Sequence, residues 1–346
     1  MDRLKVIVFG NFNYHSNKVC GQTIKTRNVY ELLKSKEDIF FSKVDYLDSE
    51  IHSLREIGSF KTFIKSTKVD IWVYLPATRS LNVIFPFLYM FSKLFSQKIQ
   101  LVVIGGWLGD YLKRKPLYAF MLSRIHRIYP ETDYLSTILK NDFGFDNVKR
   151  LNNFRNIRFL PKKRSQTKIT RLVFMARVHP LKGISTIFRL SQKLIELKLE
   201  QVKIDIYGPI YNEYLKEFEE ECKNSSENLI YKGVLQPNEI YQVLTEYDLM
   251  LFPTLYYTEG FPGSILDAYI SGLPVIATKW MYASEFIDNT SGVITDFDNE
   301  QDFVANVIDL IRNPNKLVSL RKGALLKSRE YSREQVWETF KDGLMS

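Results

Sequence analysis

Thr258-Glu259-Gly260-Phe261-Pro262-Gly263-Ser264-Ile265-Leu266-Asp267-Ala268 stands between two short apolar runs that read as buried strands, Asp248 to Phe252 and Pro274 to Ala277. Glycines at the C-terminal end of a strand, running into a helix, leave backbone N–H groups to face an anion. Ligands of open parallel sheets bind at that edge. With a helix starting near Pro262, Asp267 lies on it and Glu259 on the loop before it, so two carboxylates face one pocket from different depths. A cap and a solvated acid would be the plainer reading of an arbitrary acidic pair. The composite string favours a ligand site.

Outward from this stretch the same alternation continues. Leu172 to Ala176 and Val202 to Tyr207 read as strands and Ile184 to Leu197 as a helix. In the first half Leu4 to Phe9, Phe40 to Tyr46, Asp70 to Tyr74, Ile99 to Ile104 and Arg127 to Pro130 read as strands, with a helix from about Gln22 to Lys34. Strand and helix alternating from end to end predict an α/β protein with mostly parallel sheets. Phe159 to Ser165, basic and containing Pro161, reads as a linker. The expected organisation is an N-terminal domain over 1–160, a C-terminal domain over 161–330, and a helix over 331–346 able to pack back on the first domain. Val336, Trp337 and Phe340 give that last segment its helical spacing.

A second candidate follows the strand at 172–176: Ala176-Arg177-Val178-His179-Pro180-Leu181-Lys182-Gly183. Arg177 and Lys182 would stand at the same sheet edge as the acidic string, where a guanidinium fork and a flexible ammonium can neutralise a diphosphate. Cations and carboxylates in one pocket suit a phosphorylated, hydroxyl-rich ligand.

Several classes drop out. Two cysteines, Cys20 and Cys222, make no disulfide framework, and no His or Cys stands at metal-ligand spacing. There is no G-x-G-x-x-G turn and no G-x-x-x-x-G-K-[ST] loop, which removes most of the case for a dinucleotide dehydrogenase or a P-loop NTPase. The opening residues lack a signal-peptide pattern, and the longest uncharged apolar stretch, Leu81 to Ser92, is too short to span a bilayer. A cytoplasmic protein is expected, peripheral at the inner face of the membrane at most.

The net charge of +9 is unevenly distributed. Residues 1–160 hold 25 Lys and Arg against 14 Asp and Glu, while residues 161–346 hold 23 against 25. The first half is therefore suited to an anionic partner, although scattered solvated lysines explain the numbers equally well. Leu81 to Phe95 is apolar nearly all round and is expected to be a core helix. The alternative is that part of it, with Lys93, Lys98 and Lys113-Arg114-Lys115, rests on an anionic membrane. Nucleic acid is not expected, since no RNP, KH or zinc-finger string is present.

The string from Arg177 to Gly183, the later Tyr207-Gly208-Pro209, and Glu259 to Asp267 followed by Ser271-Gly272-Leu273-Pro274-Val275-Ile276-Ala277-Thr278 resemble the family-four retaining glycosyltransferases of the GT-B fold. Order and spacing match over roughly residues 170–295. The resemblance implies two tandem Rossmann-like, doubly wound domains facing a cleft, and a nucleotide-diphosphate sugar donor held mostly by the C-terminal domain. It implies a glycan or lipid-linked acceptor and employment in bacterial polysaccharide assembly. By carry-over, Arg177 and Lys182 would hold the donor diphosphate and stabilise its departure without a metal or other cofactor. Glu259 and the backbone of Gly260, Phe261, Pro262, Gly263 and Ser264 would hold the donor sugar and phosphate, and Asp267 the ribose hydroxyls. Gly208 belongs to the donor-binding set, and Gly21 with Gln22 would lie near the donor phosphate or the acceptor.

Two departures stand out. The acidic motif ends in Asp267 where the family usually has glutamate. Gly105-Gly106-Trp107 follows the strand at 99–104 where the family often has a histidine, so no residue inherits that role. Asp296-Phe297-Asp298 spells a metal-binding triplet of another glycosyltransferase fold, but Asp298 with Gln301 fits a helix cap and its partner, and no metal site is expected. The competing readings are a sugar-nucleotide-binding protein without activity, a nucleotide-sugar epimerase and a nucleic-acid-binding protein.

Overall fold

In a computed structural model the protein is described over residues 3–16, 20–49, 67–157, 159–161 and 170–345. The chain divides into two compact units, 1–157 together with 331–346, and 158–330.

The first unit is built on a five-stranded sheet in the order β2-β1-β3-β4-β5, every pairing parallel. Its strands are β1 (Leu4–Gly10), β2 (Phe41–Asp48), β3 (Ile71–Leu75), β4 (Lys98–Val102) and β5 (Arg127–Tyr129). Alternate residues feed two cores, one on each face. Ile7, Phe9, Trp72 and Tyr74 join a cluster with Phe85, Leu88 and Leu122. Val6, Val8, Ile71 and Val73 join another with Val29, Leu32 and Leu33 of α1 (Gly21–Lys34). The last helix of the chain, Arg333–Met345, completes that second core with Val336, Trp337, Phe340 and Leu344. It lies so close that a Cβ on Gly343 would fall 2.1 Å from the Tyr129 hydroxyl oxygen. Gln100 Nε2 donates to the Gly343 carbonyl at 2.7 Å.

The apolar run expected as one core helix is two helices: α2 (Thr78–Val83) and α3 (Phe85–Leu94). Pro86 lacks the N–H that would continue α2 and is accommodated in the first turn of α3 instead. Only part of the run is core. Phe85 and Leu88 are buried, whereas Phe87, Met90 and Leu94 are exposed. Beyond β4 follow α4 (Leu108–Lys113) and α5 (Pro116–Leu122), and beyond β5 follows α6 (Asp133–Asn141).

The second unit carries a six-stranded parallel sheet in the order β11-β10-β9-β6-β7-β8. Its strands are β6 (Thr170–Met175), β7 (Val202–Tyr207), β8 (Leu229–Tyr231), β9 (Leu249–Phe252), β10 (Val275–Thr278) and β11 (Gly292–Thr295). The chain builds outward from β6 to β8, then returns to pair β9 on the other side of β6. The strand order therefore reverses between β6 and β9, and ligands of doubly wound sheets bind outside the strand ends at such a point. Its helices, in chain order, are α7 (Ile184–Glu196), α8 (Leu215–Lys223), α9 (Ile240–Leu244), α10 (Gly263–Ile270), α11 (Ala283–Phe286) and α12 (Glu300–Arg312), and α7 and α12 contribute Ile187, Leu190, Leu194, Phe303 and Val307 to the core of this unit. The edge strands β8 and β11 are missing from the sequence expectations. Each is short, and its apolar content is too small to stand out by periodicity.

One expected cap moves by a residue. Asn299, not Asp298, caps α12, accepting the Asp302 N–H at 3.0 Å, while Asp298 is held at φ +54° in the preceding turn. Asp302 Oδ2 accepts the Asp296 N–H at 2.8 Å, so this acidic stretch is occupied with ending one loop and starting one helix.

Candidate functional site

The loop after β6 turns tightly so that it can stay beside the loop after β9. His179 Nδ1 accepts the Leu181 N–H at 3.0 Å and caps the short 3-10 turn Pro180–Lys182. That turn ends at Gly183, φ +75°, where a Cβ would lie 1.8 Å from the Pro253 carbonyl oxygen. Only glycine fits a left-handed residue pressed against a neighbouring backbone. The Leu255 N–H then donates to the Leu181 carbonyl at 2.9 Å, which ties the two loops together.

On this frame Lys182 Nζ donates to Glu259 Oε2. The two side chains are 22% and 16% exposed, a pair at the surface of the strand-order reversal and partly shielded from water. Lys182 also lies 5.8 Å from the Tyr256 ring centroid and 6.0 Å from that of Phe252. Glu259 is held by its own loop. Its N–H donates to the Tyr256 carbonyl at 3.2 Å, and the Thr254 carbonyl accepts the Thr278 hydroxyl at 2.5 Å.

Helix α10 (Gly263–Ile270) starts immediately after this loop, with Pro262 as N-cap and no side-chain capping bond. Pro262 itself has no side-chain acceptor to offer the first turn. Gly260 and Ser264 are half-buried, while Phe261 is buried and stacks on Phe286 with centroids 4.1 Å apart, so its side chain anchors the loop. Asp267 is 5% exposed and accepts the Tyr241 hydroxyl at 3.1 Å. Gly208, φ +139°, lets the end of β7 pass β6, since a Cβ there would lie 1.8 Å from the Ala176 carbonyl oxygen.

Lys182 and Glu259 are brought into contact, with α10 rising directly behind them. Arg177 is exposed and lines a hollow of about 250 Å3 with Pro209, Ile210, Tyr211, Asn212 and Glu213 of the loop after β7. His179 is engaged in capping and packs on the Tyr211 ring at 4.6 Å.

In the first unit, Gly21 opens α1 with nothing within 4 Å of a Cβ, and the Gln22 side-chain nitrogen is buried without a hydrogen-bond partner among the described residues. The feature missed by sequence reasoning is a buried ion pair at the C-terminal edge of that sheet. Lys25 Nζ donates to Glu131 Oε1 at 2.5 Å, with side chains 1% and 3% exposed. Glu131 Oε2 accepts the Gly105 N–H at 3.0 Å, so the pair also fixes the glycine turn after β4. Burial holds the Lys25 pKa below the usual lysine value, against the raising effect of Glu131. A signal did exist. The first turns of α1 offer Thr23, Lys25, Thr26 and Asn28 to the sheet, and apolar burial starts only at Val29.

Residues 156–326 match the family model of glycosyl transferases group 1. Among solved structures, the chain is similar to HepE of Anabaena in complex with UDP and glucose. Identity is 14% and the TM-score 0.75, over 99% of this chain and 100% of that one. It is also similar to a glycosyltransferase of Rickettsia africae, with 13% identity and a TM-score of 0.72 over 99% of both chains. The fold is therefore GT-B, with two Rossmann-like α/β units in tandem. A curated relative, alpha-galactosylglucosyldiacylglycerol synthase of Streptococcus pneumoniae, is 24% identical over 172 residues, 49% of this chain. The chain spans about 44% of the length of that relative. The neighbours share the fold, and the family match and the relative concern about half of the chain.

Proposed function

We propose that the protein is a retaining glycosyltransferase that moves a sugar from a nucleotide-diphosphate donor to a glycan or lipid-linked acceptor in bacterial surface polysaccharide or glycolipid assembly. The observation that carries this reading is the Lys182–Glu259 contact at the strand-order reversal, directly before the N-terminus of α10 and inside the segment that matches the group 1 family. Breaking the anomeric bond builds negative charge on the departing diphosphate and positive charge on the sugar carbon. Lys182 and the first turn of α10 would face the first with positive potential, exposed Arg177 stands five residues before Lys182 on the loop after β6, and no step in this scheme needs a metal. Glu259 holds the sugar hydroxyls while keeping Lys182 in place, and Asp267, braced by Tyr241, holds the ribose. A lipid-linked acceptor is favoured by the relative, whose name gives it a diacylglycerol glycolipid as product.

The test is a thermal-shift and calorimetric panel of UDP, GDP, ADP and CMP and their sugars, with and without EDTA, on wild type, Arg177→Ala and Lys182→Ala. One nucleotide diphosphate should raise the melting temperature by mass action, in EDTA as in magnesium, and Lys182→Ala should abolish the shift. UDP comes first because a structural neighbour holds it. Binding without turnover of any donor would leave a sugar-nucleotide-binding protein. Absence of binding by every nucleotide would overturn the reading.

A further inference from the structure

The outward side of α3 is as apolar as its inward side. Phe87, Met90 and Leu94 follow one another at spacings of three and four, the repeat of a single helix face, and Val83 precedes them four residues earlier. On α5, Leu117 and Phe120 continue the surface. These five residues from Phe87 to Phe120 are between 53% and 75% exposed. The two helices form one face of the first unit. The Tyr118 ring stacks against Phe85 at 6.4 Å, the Tyr118 hydroxyl donates to the Asn82 carbonyl at 2.7 Å, and Lys93 Nζ donates to the Arg124 carbonyl at 3.0 Å.

The rim is basic. Exposed Lys93, Lys113, Arg114, Lys115 and Arg124 stand on or next to these helices in the chain, Lys113 paired with Asp110 at 3.1 Å, and the Arg124 guanidinium lies 3.6 Å over the Phe120 ring. Lys93, Lys98, Arg124 and His126, with Asp146, line a hollow of about 430 Å3 at the start of β4. Residues 71–130 hold eight Lys and Arg and a single acid, Asp110. An apolar face of this size needs cover, and the charge selects the cover. A second copy pairing through the same face would oppose like charges. A uniformly anionic, apolar-cored surface complements both the rim and the face.

We propose that the α3–α5 face docks on an anionic lipid bilayer. Phe87, Met90, Leu94, Leu117 and Phe120 enter the boundary between headgroups and acyl chains, and the basic rim meets lipid phosphates. The proposal concerns the first unit alone, so it stands or falls independently of sugar transfer by the second. Among the described residues no helix is long and apolar enough to cross a membrane, so the contact is one of lying on the surface.

The test is co-sedimentation of the full chain with phosphatidylcholine vesicles, with and without phosphatidylglycerol, at low and high salt. Wild type should sediment with the anionic vesicles and be released by salt. The triple variant Phe87→Ser, Met90→Ser, Leu94→Ser should bind about tenfold or more weakly. The double variant Lys113→Glu, Lys115→Glu should lose the preference for phosphatidylglycerol. Both variants should melt as wild type does, because the altered side chains are exposed. Failure of wild type to sediment, or binding undiminished in the triple variant, overturns the proposal. A concentration-dependent dimer that the triple variant abolishes, seen by analytical ultracentrifugation, overturns it in favour of a second copy.

Discussion

Glu259 closes on Lys182 across 77 residues of sequence, and the contact joins loops that leave the two adjacent strands, β6 and β9, at which the sheet changes direction. Each residue keeps the other from its alternatives. Lys182→Ala is expected to weaken nucleotide-diphosphate binding and to lower kcat/KM about 100-fold or more, the scale of losing one preorganised charge from a transition-state field. Glu259→Gln should retain the nucleotide while turnover of the sugar donor falls. Steady-state kinetics beside calorimetry separates the two effects, and a Glu259→Gln protein with full turnover would remove that residue from the scheme.

Gly183→Ala should destabilise the second unit by about 1–3 kcal/mol from left-handed strain alone, with the contact against the Pro253 carbonyl adding to it. The readout is the urea midpoint. Because the same turn carries Lys182, nucleotide affinity should fall with it, whereas Gly233→Ala, also at positive φ but with open space around a Cβ, should cost less.

In the first unit, Lys25→Met leaves the Glu131 carboxylate buried without its cation, a loss of roughly 3–5 kcal/mol. Glu131→Leu combined with Lys25→Met removes both charges and should recover much of that loss, although the Gly105 N–H then loses its acceptor. The coupling is read from a double-mutant cycle in denaturant. Simple additivity of the two substitutions would mean that the pair is not coupled.

Asp288 ties the loop before β11 to the helix Pro314–Lys327. Its Oδ1 accepts the Thr290 N–H at 2.9 Å and the Thr290 hydroxyl at 2.6 Å, and its Oδ2 lies 3.0 Å from Lys327 Nζ. Burial by itself would raise the carboxyl pKa, but the bonds from Thr290 and Lys327 outweigh it and hold the group well below its ordinary value. The stabilisation is therefore complete above the ordinary carboxylate range and is lost as pH falls below about 4. Asp288→Asn should cost about 1 kcal/mol near neutrality, a modest figure because the side chain is 39% exposed. The difference from wild type should shrink in acid, as followed by urea melts across that range.

Much of the second unit was legible in the sequence. Glycines, apolar runs and the cations of one loop fall where a doubly wound sheet places them, because buried parallel strands leave continuous apolar runs and their C-terminal loops carry the polar exceptions. Val202 to Tyr207 matches its strand end for end. Other features depend on contacts that no local pattern records. The Lys25–Glu131 pair joins residues 106 apart and looks, in sequence, like two solvated charges. The jobs of His179 and Asn299 as caps turn on single-residue geometry, and the split at Pro86 turns on where one missing N–H falls. The exposed face of α3 shows the limit from the other side, since an apolar residue in sequence carries no mark of which way it will point.

The last helix has a further consequence for how the molecule comes into being. Val336, Trp337, Phe340 and Leu344 belong to the core of the first unit, yet they are synthesised after the whole of the second. On the ribosome the second unit can close while the first still lacks one wall. The first-made half of the chain is then the last to be finished, with apolar β-sheet surface open to chaperones or to misassembly for as long as the second half takes to emerge.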